Sequence, residues 1–306
     1  MDFLKQIKQL CALYNIKPAR SRGQNFLISE NVYQKIITAA GLKPDDIVLE
    51  VGPGLGFLTE MLARRVKKVI AVELDDQLAE VLRERLAEQK IENVEVVNED
   101  IFIFNPSRLA SLRHPPLTKG REGRGSYKIV ANLPYNITSR FLRKFLEEVE
   151  GKPSMMVLMV QKEVAERITA KPPQMSLLAV SVQFFAEAKI MAKVSSGAFW
   201  PQPKVDSAII HLTPRPPLPL ASLKLRRSGR GEGVVDEKNF FKLVRVGFSA
   251  RRKMLKNNLA KGLNVKSEIM AEILRQAGLN EKTRAQELSV EKWQELFIVL
   301  DRQNMV

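Results

Sequence analysis

The sequence predicts an α/β fold with a doubly wound, mostly parallel sheet, followed by a small all-helical domain. Two observations lead to this prediction. Through the first half of the chain, short apolar runs of strand length alternate with segments whose apolar residues recur at helical spacing. After residue 236 only the helical spacing remains. Alternation of this kind is typical of a sheet that is covered by helices on both faces.

The predicted elements of the first half follow one another closely. A helix over 31–40 has its apolar residues on one face and Gly41 as its stop, and two further helices are predicted over 57–65 and 78–86. The five predicted strands are 46–51, 69–72, 94–97, 129–131 and 155–160. Ligands of such sheets bind at the carboxyl ends of the strands, so the residues at those ends are the first candidates for a site.

The chain is predicted to have three parts. Residues 1–214 form the α/β domain with a basic N-terminal arm, 215–235 form a flexible basic linker, and 236–306 form a helical domain. Residues 108–126 are predicted to be a flexible insertion in the first domain. The insertion and the linker both run from Pro-Pro-Leu to a Gly-Arg-rich end, a composition that buries too little apolar surface to become ordered.

Composition limits the possible partners. The 306 residues include 49 Lys plus Arg against 34 Asp plus Glu, a formal net charge of +15, which favours a polyanionic partner such as nucleic acid. No apolar run is long enough to span a bilayer, and no signal peptide is recognised. With Cys11 as the single cysteine and only two histidines, we expect no disulfide, no metal cluster and a reducing, cytoplasmic location.

A glycine-rich turn follows the first predicted strand. Gly52, Gly54 and Gly56 alternate, and the third comes one position too early for the Gly-x-Gly-x-x-Gly turn of dinucleotide-binding proteins. Bare backbone suits a ligand that presses a ribose and an amino-acid moiety against the turn. A tight strand-to-helix turn that binds no ligand is the alternative interpretation.

Acidic residues end the next two predicted strands. Glu73 can accept hydrogen bonds from both hydroxyls of a ribose. Asp100 can accept a hydrogen bond from the amino group of an adenine while Ile101 packs on the ring. Either acid alone is more often a solvated strand-end residue. Because both follow the glycine turn, we expect S-adenosylmethionine as the cofactor.

Four motifs occur in an order that resembles one enzyme family. They are Gly-Gln-Asn-Phe-Leu at 23–27, Glu-Val-Gly-Pro-Gly-Leu-Gly at 50–56, Asn-Leu-Pro-Tyr-Asn-Ile-Thr-Ser at 132–139, and Phe-Trp-Pro-Gln-Pro-Lys-Val-Asp-Ser-Ala at 199–208. From about Gln24 to its end, apart from the insertion and the linker, the chain resembles the small-subunit ribosomal RNA adenine N6-dimethyltransferases, the KsgA family. Erythromycin-resistance methyltransferases share the first three motifs, but the fourth motif and the long C-terminal segment favour the small-subunit enzymes.

The resemblance implies a Rossmann-like methyltransferase domain. It also implies S-adenosylmethionine-dependent dimethylation of two adjacent adenosines in a hairpin loop near the 3′ end of small-subunit rRNA. The enzyme is then expected to be a cytoplasmic monomer that acts on the pre-30S particle without a metal. The alternatives are a large-subunit (23S) rRNA methyltransferase of the macrolide-resistance type and a non-catalytic assembly factor.

The resemblance also assigns site residues. The implied cofactor pocket consists of N-terminal, glycine-turn and strand-end residues: Gln24, Asn25, Leu27, Gly52, Gly54, Gly56, Glu73, Leu74, Asp100, Ile101 and Asn132. The implied catalytic residues are those of one turn and one aromatic partner: Asn132, Leu133, Pro134, Tyr135 and Phe199.

The residue types of this turn suit methyl transfer to an exocyclic amino group. The lone pair of an adenine amino group is delocalised into the ring, so the nitrogen is a weak nucleophile. The side-chain oxygen of Asn132 and a backbone carbonyl near Leu133 can bind its two hydrogens and favour a tetrahedral nitrogen. Tyr135 and Phe199 offer stacking faces for a flipped base, although Phe199 is alternatively a buried core aromatic.

A basic run lies in the predicted helical domain. Arg251, Arg252 and Lys253 are consecutive, and Lys256 follows. Such a run is usually a solvated helix face. Because the chain carries a net charge of +15 and resembles RNA-modifying enzymes, we expect these four residues to contact RNA phosphates.

Overall fold

The computed structural model describes residues 2–18, 23–110, 127–215 and 236–306, and it divides into two compact units. The first unit comprises Met1–Glu166 and Ala186–Pro214, and the second comprises Arg167–Phe185 and Arg215–Val306. The boundaries expected from the sequence differ at Arg167–Phe185, which the sequence analysis assigned to the first domain.

Most strands of the first unit form one mixed sheet. In the described ranges the strands are β1 (Phe26–Leu27), β2 (Ile47–Val51), β3 (Lys68–Glu73), β4 (Val94–Asn98), β5 (Lys128–Asn132), β6 (Met155–Gln161), β7 (Ala186–Val194), β8 (Phe199–Trp200) and β9 (Ser207–Pro214). Seven of them lie in the order β4-β3-β2-β5-β6-β9-β7. The first five are parallel, and β9 runs antiparallel to β6 and β7 on either side. The predicted mostly parallel sheet is confirmed.

Helices connect the strands and make up the second unit. Over the same ranges they are α1 (Phe3–Leu13), α2 (Glu30–Ala40), α3 (Phe57–Ala63), α4 (Asp76–Glu88), α5 (Ser107–Ala110), α6 (Thr138–Arg143), α7 (Lys162–Ile168), α8 (Leu177–Phe185), α9 (Glu237–Gly247), α10 (Leu255–Gly262), α11 (Ser267–Gln276) and α12 (Val290–Arg302). None of these helices is both long and apolar enough to cross a membrane.

Local sequence explains where several elements begin and end. Every residue of β2 is buried, as expected for a strand inside a parallel sheet. Helix α2 ends at Gly41, which takes a left-handed conformation with φ of 47°. The Lys128 ammonium donates to the carbonyls of Ala40 and Gly41 and forms an ion pair with Asp46 at 2.8 Å. The beginning of β5 is thereby joined to the end of α2.

Helix α1 is an element that the sequence analysis did not predict. It buries Phe3, Ile7 and Cys11. The ring of Phe3 lies 5.2 Å from the rings of both Tyr33 and Phe57, so α1 covers α2 and the start of α3. Aromatic pairs at such distances add to the burial of apolar area.

The two predicted flexible segments lie mostly outside the described residues. Of the insertion at 108–126, the first three residues belong to α5, and 111–126 lie outside. Of the linker at 215–235, only Arg215 is described. Its backbone N–H donates to Phe185 O at 2.8 Å and its guanidinium donates to Gln183 O at 2.6 Å. Arg215 therefore belongs to the packed second unit rather than to a linker.

Phenylalanines explain why α8 belongs to the second unit. Phe184 stacks on Phe240 of α9 with centroids 4.7 Å apart, and Phe185 stacks on Phe241 at 5.7 Å. Phe297 of α12 meets Phe240 at 5.9 Å. The predicted C-terminal helices α9 to α12 are confirmed, and α8 completes their core.

Candidate active site

The glycine turn joins β2 to α3 at the carboxyl edge of the sheet. Gly52, Gly54 and Gly56 all have positive φ, at 66°, 58° and 85°. A Cβ atom at Gly56 would also meet the buried side chain of Leu82 on α4, so packing favours glycine here in addition to the positive φ. A Cβ at Gly54 would lie 3.3 Å from the Phe26 ring. Close approach of a ligand is therefore not the only reason for the glycines.

Arg85 of α4 contacts the glycine turn and the beginning of α3. Its guanidinium donates to the carbonyl of Leu55 and forms an ion pair with Glu60 at 2.5 Å. It also lies 4.5 Å from the centre of the Phe57 ring. Arg85 is buried, so these contacts are shielded from water. Arg85 is not recognisable as a site residue from the sequence, because a single arginine on an amphipathic helix is usually solvated.

Glu73 occupies the end of β3 beside the turn and is buried. Its two carboxylate oxygens accept the N–H groups of Gly54 and Asp75, each at 3.0 Å. Burial raises the pKa of Glu73, and these two hydrogen bonds partly offset that effect. A carboxylate has about four acceptor positions, so the side chain retains capacity for a ligand.

Glu50 is a second buried acid in the lining of the cleft, at the end of β2. Burial raises its pKa to about 8, and the charge of Glu73 acts in the same direction. The hydroxyl of Thr59 lies nearby, but among the described residues neither this hydroxyl nor Glu50 Oε2 has a hydrogen-bond partner of normal geometry. We therefore attribute the raised pKa to burial. Glu50 belongs to the second motif, but no role was predicted for it from the sequence.

The turn after β5 is held against the neighbouring strand. Asn132 pairs in register with Met159, and the Leu133 N–H donates to the Met159 carbonyl at 3.2 Å. Leu133 is buried, whereas Asn132 and Tyr135 remain partly exposed and line the cleft. Residues Tyr135–Ile137 form one 3₁₀ turn that leads into α6. This geometry presents Asn132 and Tyr135 to the cleft on backbone that is hydrogen-bonded to β6.

A two-residue ribbon brings two distant motifs together. β1 pairs antiparallel with β8, so that Phe26 faces Trp200 and Leu27 faces Phe199. The N-terminal motif therefore lies against the aromatic of the fourth motif. Phe199 is buried in the core cluster and also lines the cleft, so both interpretations of this residue hold in part.

One cleft contains most of the predicted site residues. It is lined by the predicted residues Gln24, Asn25, Leu27, Gly52, Gly54, Gly56, Glu73, Leu74, Asn132, Leu133, Pro134, Tyr135 and Phe199. Further lining residues that were not predicted as site residues include Phe26, Tyr33, Glu50 and Asp75. The Gln24 amide donates to Asp75 at 3.3 Å, which ties the N-terminal arm to the start of α4.

Asp100 and Ile101 are not among the described residues that line this cleft. The Asp100 carboxylate accepts the Phe102 N–H at 2.9 Å and so closes its own turn. Ile101 is buried, and Lys144 donates to the carbonyls of Ile101 and Phe104 at 2.8 and 2.7 Å. Their predicted contact with an adenine remains a proposal.

The basic run of the second unit is only partly available to a ligand. Arg251, Arg252 and Lys253 are exposed in the turn between α9 and α10. Lys256 is partly buried, and its ammonium forms an ion pair with Glu281 at 3.1 Å. Contact of these residues with RNA stays a prediction, and Lys256 would first have to exchange its partner.

A sequence profile described as ribosomal RNA adenine dimethylase matches residues 16–302. The chain belongs to this family. The resemblance drawn from the four motifs is thus confirmed, together with the prediction of an rRNA adenine dimethyltransferase. A methyltransferase of this family uses a methyl donor of the S-adenosylmethionine type.

Relatives with one name match the dimethylase over nearly its whole length. Ribosomal RNA small subunit methyltransferase A of Dehalococcoides mccartyi is 43% identical over 298 residues, which cover 97% of this chain and 94% of that protein. The protein of the same name from Clostridioides difficile is 38% identical and covers 96% of this chain and 94% of its own length.

Solved structures of two related enzymes superpose on the dimethylase. A dimethyladenosine transferase from Plasmodium falciparum has a TM-score of 0.68 at 25% identity, covering 91% of this chain and 98% of that one. The 23S rRNA methyltransferase ErmE has a TM-score of 0.65 at 29% identity, covering 90% and 100%.

Proposed function

We propose that this dimethylase transfers methyl groups from S-adenosylmethionine to N6 of two adjacent adenosines near the 3′ end of small-subunit rRNA. The observation that carries the proposal is the convergence of Asn132, Tyr135, Glu73 and the glycine turn on one cleft. The small-subunit substrate is supported by the relatives, which are small-subunit methyltransferases with up to 43% identity. The ErmE enzyme, which acts on 23S rRNA, is 29% identical, so the large-subunit alternative is less well supported.

The residues of the cleft fit such a methyl donor. The carboxylate of Glu73 is buried beside the glycine turn and retains acceptor positions for ribose hydroxyls. Leu74 is 66% exposed next to it, which leaves an apolar face free for a nucleoside. Gln24, Asn25 and Leu27 form the N-terminal side of the same cleft. Bound S-adenosylmethionine supplies an electrophilic sulfonium methyl group.

The catalytic contribution of the chain is positioning and polarisation. The side-chain oxygen of Asn132 accepts a hydrogen bond from one hydrogen of the adenine amino group, and a backbone carbonyl near Leu133 accepts a hydrogen bond from the other. The nitrogen lone pair is thereby directed at the methyl group. Tyr135 stacks on the flipped base. Phe199 is a buried residue of the ribbon that lines the same cleft, where it offers a second aromatic face to the base.

The remaining parts of the proposal concern partner and place. We expect the monomeric enzyme to act on the pre-30S particle in the cytoplasm, with Arg251, Arg252, Lys253 and Lys256 at RNA phosphates. The net charge of +15 supports a polyanionic partner. No group of three or more His, Cys, Asp or Glu in the described ranges is arranged to hold a metal ion.

Replacement of Asn132 tests the proposed chemistry. Asn132→Ala removes an acceptor that acts chiefly in the transition state, so turnover should fall by roughly 10²–10³-fold while RNA affinity changes little. Methyl incorporation should be measured on isolated small subunits that lack the modification, and the modified adenines should be mapped by mass spectrometry. Asn136→Ala, at an exposed position in the 3₁₀ turn four residues later, is the matched control.

Three outcomes would contradict the proposal. Near-normal turnover by Asn132→Ala would remove Asn132 from the mechanism. Methylation of large subunits alone by the wild-type enzyme would replace the small-subunit substrate with the alternative one. Tight RNA binding without any turnover would favour the non-catalytic assembly factor.

A further inference from the structure

The fourth motif contains a buried hydroxyl that the proposed mechanism does not use. Ser207 opens β9 and has no exposed surface. Its Oγ lies 2.7 Å from the hydroxyl of Tyr135, which is a short hydrogen bond between two side chains. The bond joins the turn of the third motif to the fourth motif across the edge of the sheet. Tyr135 is the residue on which the target base is proposed to stack.

The backbone of Ser207 is fixed from several directions. It pairs with Gln161 of β6 on one side and with Val194 of β7 on the other. The preceding residue, Asp206, accepts the Ser196 N–H through its carboxylate at 3.0 Å and the Lys162 N–H through its carbonyl at 2.9 Å. Because strand β9 is hydrogen-bonded to a strand on each side, the backbone of Ser207 is held in place by the sheet, and the position of its Oγ is well defined.

Tyr135, by contrast, begins a short 3₁₀ turn and is partly exposed. Its backbone carbonyl accepts the Thr138 hydroxyl at 3.3 Å, but this contact does not orient the ring. The ring of a partly exposed tyrosine can occupy more than one rotamer, and each ordering step costs conformational entropy. A hydrogen bond to a fixed hydroxyl at the far end of the ring selects one of these rotamers before the base arrives.

From this geometry we propose that Ser207 is a positioning residue for base methylation, which holds the Tyr135 ring in the orientation that stacks on the target adenine. This inference rests on the proposed function, because it requires Tyr135 to face a flipped base. A tyrosine hydroxyl is protonated at neutral pH, and burial raises the pKa of Tyr135 further, so the bond is not lost by ionisation there. Misorientation of the ring would slow the methyl transfer without removing the stacking surface.

The test is a double-mutant cycle with Ser207→Ala and Tyr135→Phe, assayed as methyl transfer to unmodified small subunits. Either change removes one hydroxyl, and Tyr135→Phe retains the ring. Each should lower kcat by roughly 3- to 10-fold, the value of one neutral hydrogen bond, with the KM for S-adenosylmethionine unchanged. The double variant should be no slower than the slower single variant, because both remove the same bond.

Tyr127→Phe is the matched control. Tyr127 is buried just before β5, at the end of the strand opposite Asn132, and its hydroxyl donates to Gly151 O at 3.0 Å. Its replacement also removes a tyrosine hydrogen bond, and kcat should stay at the wild-type value. If Ser207→Ala fails to fold, comparison of Tyr135→Phe with Tyr127→Phe decides the matter.

The outcomes separate this inference from the proposed function. Wild-type kcat in Tyr135→Phe, or losses that multiply in the double variant, would overturn the role of Ser207 while methylation by the wild-type enzyme continues. An effect confined to the KM for S-adenosylmethionine would also overturn it. If the wild-type enzyme does not methylate small subunits, the proposed function fails first and the inference with it.

Discussion

At the scale of single residues, the cleft contains two buried acids with different surroundings. Glu73 accepts two backbone N–H groups, whereas Glu50 Oε2 has no hydrogen-bond partner within the described ranges. Burial favours the neutral form of a carboxyl, and it does so more strongly where fewer donors contact the carboxylate. Glu73 is therefore arranged as an acceptor, and Glu50 is arranged as a carboxyl that titrates near neutrality.

The titration of Glu50 should make stability depend on pH. The ordinary pKa of a glutamate is 4.5, and that of folded Glu50 is about 8, so between these values the folded state binds more protons than the unfolded one. The free energy of unfolding should therefore fall as pH rises across this window. Glu50→Gln cannot titrate, and its stability relative to wild type should increase from pH 5 to pH 8 by up to a few kcal/mol.

Urea unfolding of wild type and Glu50→Gln at several pH values measures this difference. Glu80→Gln, at an exposed position on α4, is the control. Parallel pH dependence in wild type and Glu50→Gln would show that Glu50 is ionised in the folded protein.

At the scale of elements, the glycine turn depends on α4. Arg85 joins three parts of the site, namely the Leu55 carbonyl, Glu60 of α3 and the Phe57 ring. Leu82 of the same helix fills the space where a Cβ of Gly56 would lie. Helix α4 therefore determines the shape of the turn, although it supplies few of the cleft residues.

Removal of Arg85 should cost much more stability than removal of its neighbour. Arg85→Ala leaves Glu60, which is largely buried, without its cation, and breaking such a pair typically costs about 3–5 kcal/mol. Arg83→Ala removes an exposed pair with Glu80 at 3.0 Å on the same helix and should cost less than about 1 kcal/mol. Denaturant unfolding compares the two, and calorimetry should show weaker S-adenosylmethionine binding for Arg85→Ala alone. Equal stability of the two variants would contradict the supporting role of α4.

The elements that the sequence predicted are those with a clear apolar period. The parallel strands and helices α2 to α4 have such a period, and the glycines of the turn alternate along the sequence. These features could therefore be predicted from the sequence. The ribbon of β1 and β8 has two residues in each strand, too few for any period. The bond between Tyr135 and Ser207 depends on tertiary packing, which no local pattern encodes.

At the scale of the whole molecule, the net charge of +15 should dominate binding to RNA. Arg251 and Arg252 are exposed, whereas several other cations of the second unit are paired. Unpaired surface cations release counterions when they meet phosphates, and paired ones contribute less. The salt dependence of binding therefore reports how many cations contact phosphates, and its change in a variant shows whether the replaced cations are among them.

Replacement of the two exposed arginines should weaken RNA binding and reduce its salt dependence. Arg251→Ala with Arg252→Ala should lower the slope of log K against log salt by roughly 1 to 2. Turnover at saturating RNA should change little. Lys292→Ala with Arg275→Ala makes the same change in net charge at two cations that already pair with Glu295 and Glu272. An equal loss of slope in both double variants would show that only the total charge matters.

The position of β9 between β6 and β7 has a consequence for biosynthesis. During synthesis on the ribosome, β7 emerges before β9, the strand that lies between it and β6. Likewise, β1 cannot pair until β8 has been synthesised. The hydrogen bond of Tyr135 to Ser207 and one wall of the cleft can form only after these late residues leave the exit tunnel. Because contacts between residues so distant in sequence form slowly, we expect a nascent dimethylase to acquire its five parallel strands first and its catalytic competence last.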